Sequence, residues 1–457
     1  MEGRSVLLNT ASINLAGWGR YHPKKCSVFR PERTSELKNF LEESGDMSFI
    51  ARGLGRSYGD TAVNSAGLAL DMSRMNRMLY FDEEHGILEC EGGVTLAEIL
   101  DAFVSRGWFL PVTPGTKFVT VGGAIANDVH GKNHHVDGTF CQFVDSFDLW
   151  VPSKGVLTCS ASENSDLFWA TAGGVGLTGV ILKVRLQLRA VETAYVKVDY
   201  RRCAHLDDVL EKMAATDQDY LYSVAWIDCL ARRQQLGRSV LMQGAHARLR
   251  DLPVRLERNP FRLPKKAPLA VPVDFPGFVL NNWSIKAFNT LFYLLNRDKE
   301  QAIINYDKYF YPLDGIHDWN RMYGRRGFIQ YQAAFPYEGR TGLVKMLELL
   351  SEKKRASFLA VLKCFGASNP GLLSYPMPGY TLALDIPCKK GIEDFTKELD
   401  RILLDHGGRL YLAKDAVTDA ATFASMYPAL ERFRSLRREL DPQQLLSSDQ
   451  AKRLHLV

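Results

Sequence analysis

The chain has 457 residues, too many for one ordinary core, so two or three domains are expected. Hydrophobic residues make up 46% and charged residues 24%, the balance of a folded globular protein rather than a disordered or fibrous one. The formal net charge of +5, from 57 basic against 52 acidic residues, is too mild to argue for nucleic acid; it suits an anionic substrate or an anionic membrane surface without requiring either.

The opening residues 1–16 hold no long apolar run and are interrupted by Glu2 and Arg4, which does not read as a signal peptide. No stretch reaches the roughly 18 apolar residues a spanning helix needs. The eight cysteines, at 26, 90, 141, 159, 203, 229, 364 and 388, are scattered without a Cys-x-x-Cys pair, which argues against zinc and against a disulfide framework. The expected location is cytoplasmic, with peripheral contact at the inner membrane face, and a periplasmic placement is left open.

In chain order, residues 31–45 predict a helix opening near Thr34, with Leu37, Phe40 and Leu41 on one face. Residues 48–51 read as a buried strand that runs into Ala51-Arg-Gly-Leu-Gly-Arg-Ser-Tyr-Gly-Asp60. Glycines let backbone approach a ligand closely, and consecutive N–H groups in such a turn form an anion-binding nest. A pyrophosphate would fit there, although the Gly-x-Gly-x-x-x-Gly spacing is not the Rossmann fingerprint and a structural turn is an equal alternative. Residues 68–72 and 87–91 are strand-like. Thr95-Leu-Ala-Glu98 is a capping box, followed by Leu96, Ile99, Leu100 and Phe103 at helical spacing up to Gly107.

The second glycine-rich element runs from Pro114 through Val121-Gly-Gly-Ala-Ile-Ala126 to His130-Gly-Lys-Asn-His-His135. Its small residues let a flat aromatic or a phosphate lie against the backbone. His130, Lys132, His134 and His135 lack carboxylate partners at ligand spacing, so a polar wall around a cofactor is expected rather than a metal site. A short helix at 166–172 precedes a third turn, 173–179, and 180–188 alternates like a strand. From about 194, strand-like runs at 220–227 and 327–334 alternate with helical ones such as 343–350. Between them, 248–266 holds seven Lys or Arg, and 275–295 is rich in Phe, Trp, Leu and Tyr. The pair reads either as a surface loop followed by a buried helix or as a mobile lid or membrane-facing patch suited to a lipid phosphate. The expected division is 1–193 for a cofactor-binding domain, 194–406 for a substrate domain carrying a lid at 248–295, and 407–457 for a C-terminal segment returning to the first domain.

The three glycine-rich elements in this order, with Gly17-Trp-Gly-Arg20, Trp319-Asn-Arg321, Gln330-Tyr-Gln332, Lys363 and Ala413-Lys-Asp415, resemble the vanillyl-alcohol-oxidase-type FAD proteins. More narrowly, the chain resembles the decaprenylphosphoryl-β-D-ribose 2'-oxidases of cell-wall arabinan synthesis. The resemblance implies an α+β fold: a two-lobed FAD-binding domain of vanillyl-alcohol-oxidase (PCMH) type plus an antiparallel-sheet substrate domain. It places FAD contacts at Arg52, Gly53, Leu54, Gly55, Arg56, Ser57, Tyr58, Gly59, Asp60, Gly115, Thr116, Thr120, Val121, Gly122, Gly123, Asn127, Asp128, Val129, His130, Ile181 and Tyr411. Relatives that link flavin covalently use a histidine in the first glycine loop; Arg56 and Ser57 stand there, so the FAD is expected to be non-covalent.

The resemblance implies that Lys414 is a cation for the negative charge on the reduced flavin, in preference to a base, because a free lysine has a pKa near 10.4. His130 or Tyr58 would help take the hydroxyl proton. Lys132 and Lys363 would bind the substrate phosphate, and Gln332 the sugar hydroxyls. Val224, Phe310, Thr381 and Ala383 stand on the substrate side where mycobacterial members carry serine, tyrosine, asparagine and cysteine. The implied reaction makes a 2-keto sugar from a polyprenyl-phosphate-linked ribose, for an NAD(P)H-dependent keto-sugar reductase to complete the epimerisation. An aldonolactone or alditol oxidase of the same fold, and a non-catalytic flavin-binding scaffold, are the alternatives.

Overall fold

The computed structural model describes residues 10–457 except 44, 265–268, 278, 356 and 358–359. The reading of the first residues as lacking a leader falls outside these, as do Lys265, Lys266 and Phe278 of the basic and aromatic stretches.

Two small sheets form the first part. In one, strands Ala11–Leu15, Lys24–Phe29, Leu68–Asp71 and Phe49–Arg52 lie in that spatial order. The helix Thr34–Glu43 covers it with Leu37, Phe40 and Leu41. In the other, five antiparallel strands lie in the order Met78–Asp82, Ile87–Glu91, Val180–Gln187, Val144–Val151 and Gly155–Ser160. The helix Leu96–Phe103 packs on it, and its capping box forms: Thr95 Oγ1 accepts from Glu98 N at 3.1 Å while Glu98 Oε2 accepts from Thr95 N at 2.7 Å. A 3₁₀ turn then ends at Gly107, whose φ of 84° a side chain would resist.

The second part is an eight-stranded antiparallel sheet in the order Lys299–Asn305, Tyr195–Cys203, Ser239–His246, Tyr222–Ile227, Ala360–Phe365, Gly379–Pro387, Phe328–Pro336 and Arg409–Leu410. Helices Leu206–Thr216, Arg340–Glu352 and Ile392–Asp405 bury one face of it. The strand Phe328–Pro336 is buried almost end to end because both its faces are covered. Ile329, Tyr331, Ala333 and Phe335 point to the helices. The period of two then sends Gln330, Gln332 and Ala334 to the opposite face.

The last residues tie the two parts together. Phe49 exchanges backbone hydrogen bonds with Leu445 and Ser447, at 2.6 and 2.9 Å. Arg453 pairs with Asp60 at 2.7 Å and with Asp415 at 2.9 Å.

The 248–295 region departs from the buried-helix reading. The helix Asn282–Leu295 buries only Ile285 and Asn289. Trp283 is 83% and Leu295 72% exposed. Nor does the basic stretch lie against it. Residues 248–262 are held at the start of the Tyr195–Cys203 strand, where Pro260 O accepts from Ala194 N and Arg262 O from the Tyr195 hydroxyl, both at 2.9 Å. The helix leads into Asp298, which accepts from Arg202 N at 2.7 Å, seven residues or about 23 Å along that strand. The sequence put the two stretches side by side; the sheet separates them.

Candidate active site

A cavity of about 290 Å³ lies between the glycine loops of the first part and the open face of the eight-stranded sheet. Its first wall is backbone. The loop 51–58, the segment 114–116, the residues Val119, Thr120, Gly122, Gly123, Ala126, Asn127, Val129 and His130, and Val175, Gly176, Gly179 and Ile181 line it. The first two loops interlock: a Cβ on Gly53 would sit 2.2 Å from Thr120 Oγ1, so only glycine lets them meet. Thr120 caps the helix Val121–Ala126 by accepting from Gly123 N at 3.2 Å. The Tyr411 hydroxyl donates to Asn127 O at 2.7 Å and holds this wall against the other. Arg52 braces its loop, donating to Ala62 O and Ala16 O at 2.8 Å each. Arg56 stacks on Trp18, 3.8 Å from the ring centroid.

The second wall is sheet. Gln330 pairs in register with Asp385, Gln332 with Ala383, and Lys363 with Thr381, so these side chains share one face with Val361. Lys414 follows a turn in which Lys414 N donates to Tyr411 O at 2.9 Å, and Tyr58 N donates to Ala413 O at 2.9 Å. These contacts set the Lys414 ammonium 3.9 Å from the Tyr58 ring centroid, a cation–π contact.

Among the described residues, no carboxylate lies within salt-bridge distance of Lys132, Lys363 or Lys414. Burial lowers Lys414 to about 7 against partial support from Asp385, lowers Lys363 to about 8, and with the help of Lys363 lowers Lys132 to about 7. Burial, then Lys363 and His134, holds the His130 imidazole well below its ordinary range. Burial, then Asp385, pushes the Tyr58 phenol well above its own. The site therefore keeps His130 and Tyr58 neutral and brings its lysines into the titrating range near neutral pH. The desolvation that a lysine base would need is present at Lys414, which makes both protonation states of its amine accessible near neutral pH.

The cavity touches most of the expected cofactor and substrate positions, but not all. Gly59 is locked beneath Asp415, whose carbonyl oxygen a Cβ would meet at 2.1 Å. Asp60 turns away to Arg453. Val121 is fully buried in the first core. Asp128 accepts from Asn369 at 2.6 Å and Ser374 at 2.5 Å behind the wall. Lys132 directs its ammonium at the carbonyls of Tyr309 (2.5 Å) and Phe310 (3.4 Å) rather than into the cavity. Phe310 packs in a buried aromatic cluster with Phe109 and Tyr222. Val224 is buried and pairs with Met242. Thr381 stands one layer back, accepting from Gln332 at 3.3 Å and bonding the Tyr375 hydroxyl at 2.8 Å. Of the four departures, Ala383 alone lines the cavity. Among the described residues no group of His, Cys, Asp and Glu is arranged to hold a metal, and all eight cysteines are free.

Trp18, Gln330, Trp319 and Asp385 belong to the site without having been assigned a role from sequence. Gln330 donates to Asp385 Oδ1 at 2.5 Å, and Oδ2 of the same carboxylate is buried without a partner. An acid inside Leu382-Ala-Leu-Asp-Ile386, and two glutamines alternating on an apolar strand, were the signals that could have marked them. His130 Nε2 faces the Gln332 amide nitrogen at 3.0 Å, so with the amide donating the ring proton sits on Nδ1. That Nδ1 and Asn127 Oδ1 are buried and unpartnered. Orphaned polar atoms on a glycine-lined wall fit a large polar cofactor that would satisfy them.

Residues 27–160 match an FAD binding domain family, and 382–454 match a D-arabinono-1,4-lactone oxidase family. The chain is 38% identical over 453 residues to a decaprenylphosphoryl-β-D-ribose oxidase of Mycolicibacterium smegmatis, covering 98% of each. It is 32% identical over 372 residues to an uncharacterised Streptomyces coelicolor protein, covering 79% of this chain and all of the relative. A mouse L-gulonolactone oxidase is 32% identical over 192 residues, 40% of this chain and 43% of its own length.

Proposed function

Because the chain belongs to the decaprenylphosphoryl-β-D-ribose oxidase family and is an FAD-dependent oxidoreductase of α+β, PCMH-type fold, we propose that its substrate is a polyprenylphosphoryl ribose, oxidised at the 2'-hydroxyl to the 2-keto sugar. The observation that carries this reading is the set of lysines without carboxylate partners around the sheet wall: Lys363 and Lys414 in the cavity and Lys132 beside it. A phosphate would supply the missing negative charge, whereas a free polyol or lactone has no group for Lys363. FAD, when bound, supplies the hydride acceptor. The residues do the rest. Gln332 and Gln330 position sugar hydroxyls, Lys414 provides the cation beside the flavin, and neutral His130 holds Gln332 in place. Lys363 meets the phosphate directly; Lys132 adds positive potential from behind unless it leaves the Tyr309 carbonyl.

The keto product is the substrate of a reductase that uses NAD(P)H, the partner that would complete the epimerisation. The polyprenyl tail keeps the enzyme at a membrane surface; no described helix is long and apolar enough to cross one. The FAD is held without a covalent bond, since no cysteine lines the cavity and the first loop carries Arg56 and Ser57. Acid precipitation should leave the yellow colour in the supernatant; colour that stays in the pellet would show a covalent link.

The substrate test is anaerobic mixing with a polyprenylphosphoryl ribose while the oxidised flavin absorbance is followed. Bleaching with a keto product by mass is the expected result. Bleaching only by a free polyol or aldonolactone would give the site to that substrate class, and no bleaching by any sugar would leave a flavin-binding scaffold.

A further inference from the structure

The helix Asn282–Leu295 carries its apolar residues on the wrong side for a protein in water. Trp283, Leu291, Leu294 and Leu295 are 83%, 56%, 53% and 72% exposed, and Phe288 is 37% exposed. At about 100° per residue these positions fall in one stripe along a helix about 21 Å long. The opposite face anchors it: Asn289 donates to Asp228 at 2.8 Å, and Phe292 packs on Trp226 with ring centroids 4.6 Å apart. A contiguous apolar strip of this kind marks a surface that something covers.

Three observations select the occupant. From 275 to 297 the chain has no acidic residue and two basic ones, Lys286 and Arg297, both exposed. The chain leading into the helix runs beside another basic surface. Phe275 N donates to Arg321 O at 3.0 Å, Asp274 is neutralised by Arg20 (2.5 Å) and Arg321 (3.5 Å), and exposed Arg325 and Arg326 follow at once. The same chain reaches the active site. Leu280 packs against the cluster of Tyr58, Trp319, Tyr323 and Phe328, and Tyr58 and Trp319 line the cavity. An apolar stripe that carries Lys286 and Arg297, with Arg325 and Arg326 beside the chain leading into it and the acids Asp298 and Glu300 starting only past its C-terminal end, matches the boundary between headgroups and acyl chains in an anionic bilayer. A second copy of this chain or a partner protein would leave the cationic flanks without an assigned counter-charge.

We propose that the Asn282–Leu295 helix docks the protein on an anionic membrane surface, lying in the headgroup plane, and that the apolar path through Leu280 to Trp319 leads the lipid tail of the substrate from the bilayer to the cavity. This rests on the reading of the substrate as lipid-linked, but the docking is measured without substrate.

The test is sedimentation of the FAD-loaded enzyme with phosphatidylcholine vesicles containing 0 or about 30% phosphatidylglycerol. It is run for the wild type, Leu291→Glu/Leu295→Glu and Trp283→Phe, with tryptophan emission recorded. The wild type should pellet with the anionic vesicles at least about ten-fold more than with neutral ones. Its emission should shift to the blue, and the shift should shrink in Trp283→Phe. The double variant should stay in the supernatant, yet reduce its flavin at the wild-type rate with a short-chain, detergent-free polyprenylphosphoryl ribose. Wild-type protein that ignores both vesicle types, or a double variant that binds them equally, overturns the proposal. A wild type that dimerises without vesicles while the variant does not assigns the stripe to a second copy instead. Failure of the short-chain substrate with normal vesicle binding would strike the substrate reading and spare the docking face.

Discussion

Replacing Lys414 by methionine should slow anaerobic flavin reduction about 10²–10³-fold while leaving FAD bound, the loss expected when one preorganised charge at a reacting centre is removed. The site holds this side chain from three directions. Its backbone is fixed by the turn onto Tyr411, its neighbour Ala413 accepts from Tyr58 N, and its ammonium rests on the Tyr58 ring. Methionine keeps the length and packs on the same ring, so flavin content and thermal midpoint should stay near wild type. The measurement is the single-turnover reduction rate at saturating substrate. A rate within about three-fold of wild type would remove Lys414 from the reaction and leave it as a packing residue.

Where local pattern decides structure, the sequence was readable. The Thr95 box, the Gly107 stop and the apolar face of Thr34–Glu43 depend on neighbours within a few residues, and each appears in the fold. The glycine loops were legible as places of close backbone approach, which leaves a compositional mark, and they line the cavity. The sheet wall was harder. Gln332 and Lys363 were marked only through the resemblance, since alternation on a strand with both faces covered gives no hydrophobic period to read. Asp385 escaped because its meaning comes from Gln330, 55 residues away in sequence and adjacent only through strand register. Phe310 and Val224 show the opposite limit. A position can match a substrate-side residue of a relative and still, with a different side chain, pack into a core. The exposed helix face was half legible: its composition stood out, but whether it faced in or out was decided by Asn289 and Phe292 meeting Asp228 and Trp226.

Asp385→Asn should move the alkaline limb of the reduction rate to lower pH by about one unit or more, the usual size of an opposite-charge effect at a buried site. Burial raises the Asp385 carboxyl to about 7 and lowers the Lys414 ammonium to about 7, so the two titrate together and the observed values belong to the pair. The carboxylate supports the protonated lysine against burial and against Lys363. Asparagine keeps the amide–oxygen contact available to Gln330 but removes that support, and the lysine then loses its proton at lower pH. If the cation is the working form, the rate falls as pH rises through the Lys414 pKa. The variant should therefore lose about ten-fold at pH 8 and much less at pH 6. Asp385 would act through Lys414 in this reading, as a positioning residue without contact to substrate. The direction of the shift also separates the two roles open to the lysine. A proton acceptor must be neutral, so a base would give a rate that climbs with pH, and the asparagine variant would move that acid limb downward and gain rate near pH 6. A variant with an unmoved profile and a uniform loss would make Asp385 a structural residue, and Glu at the same position should then fail to restore the rate.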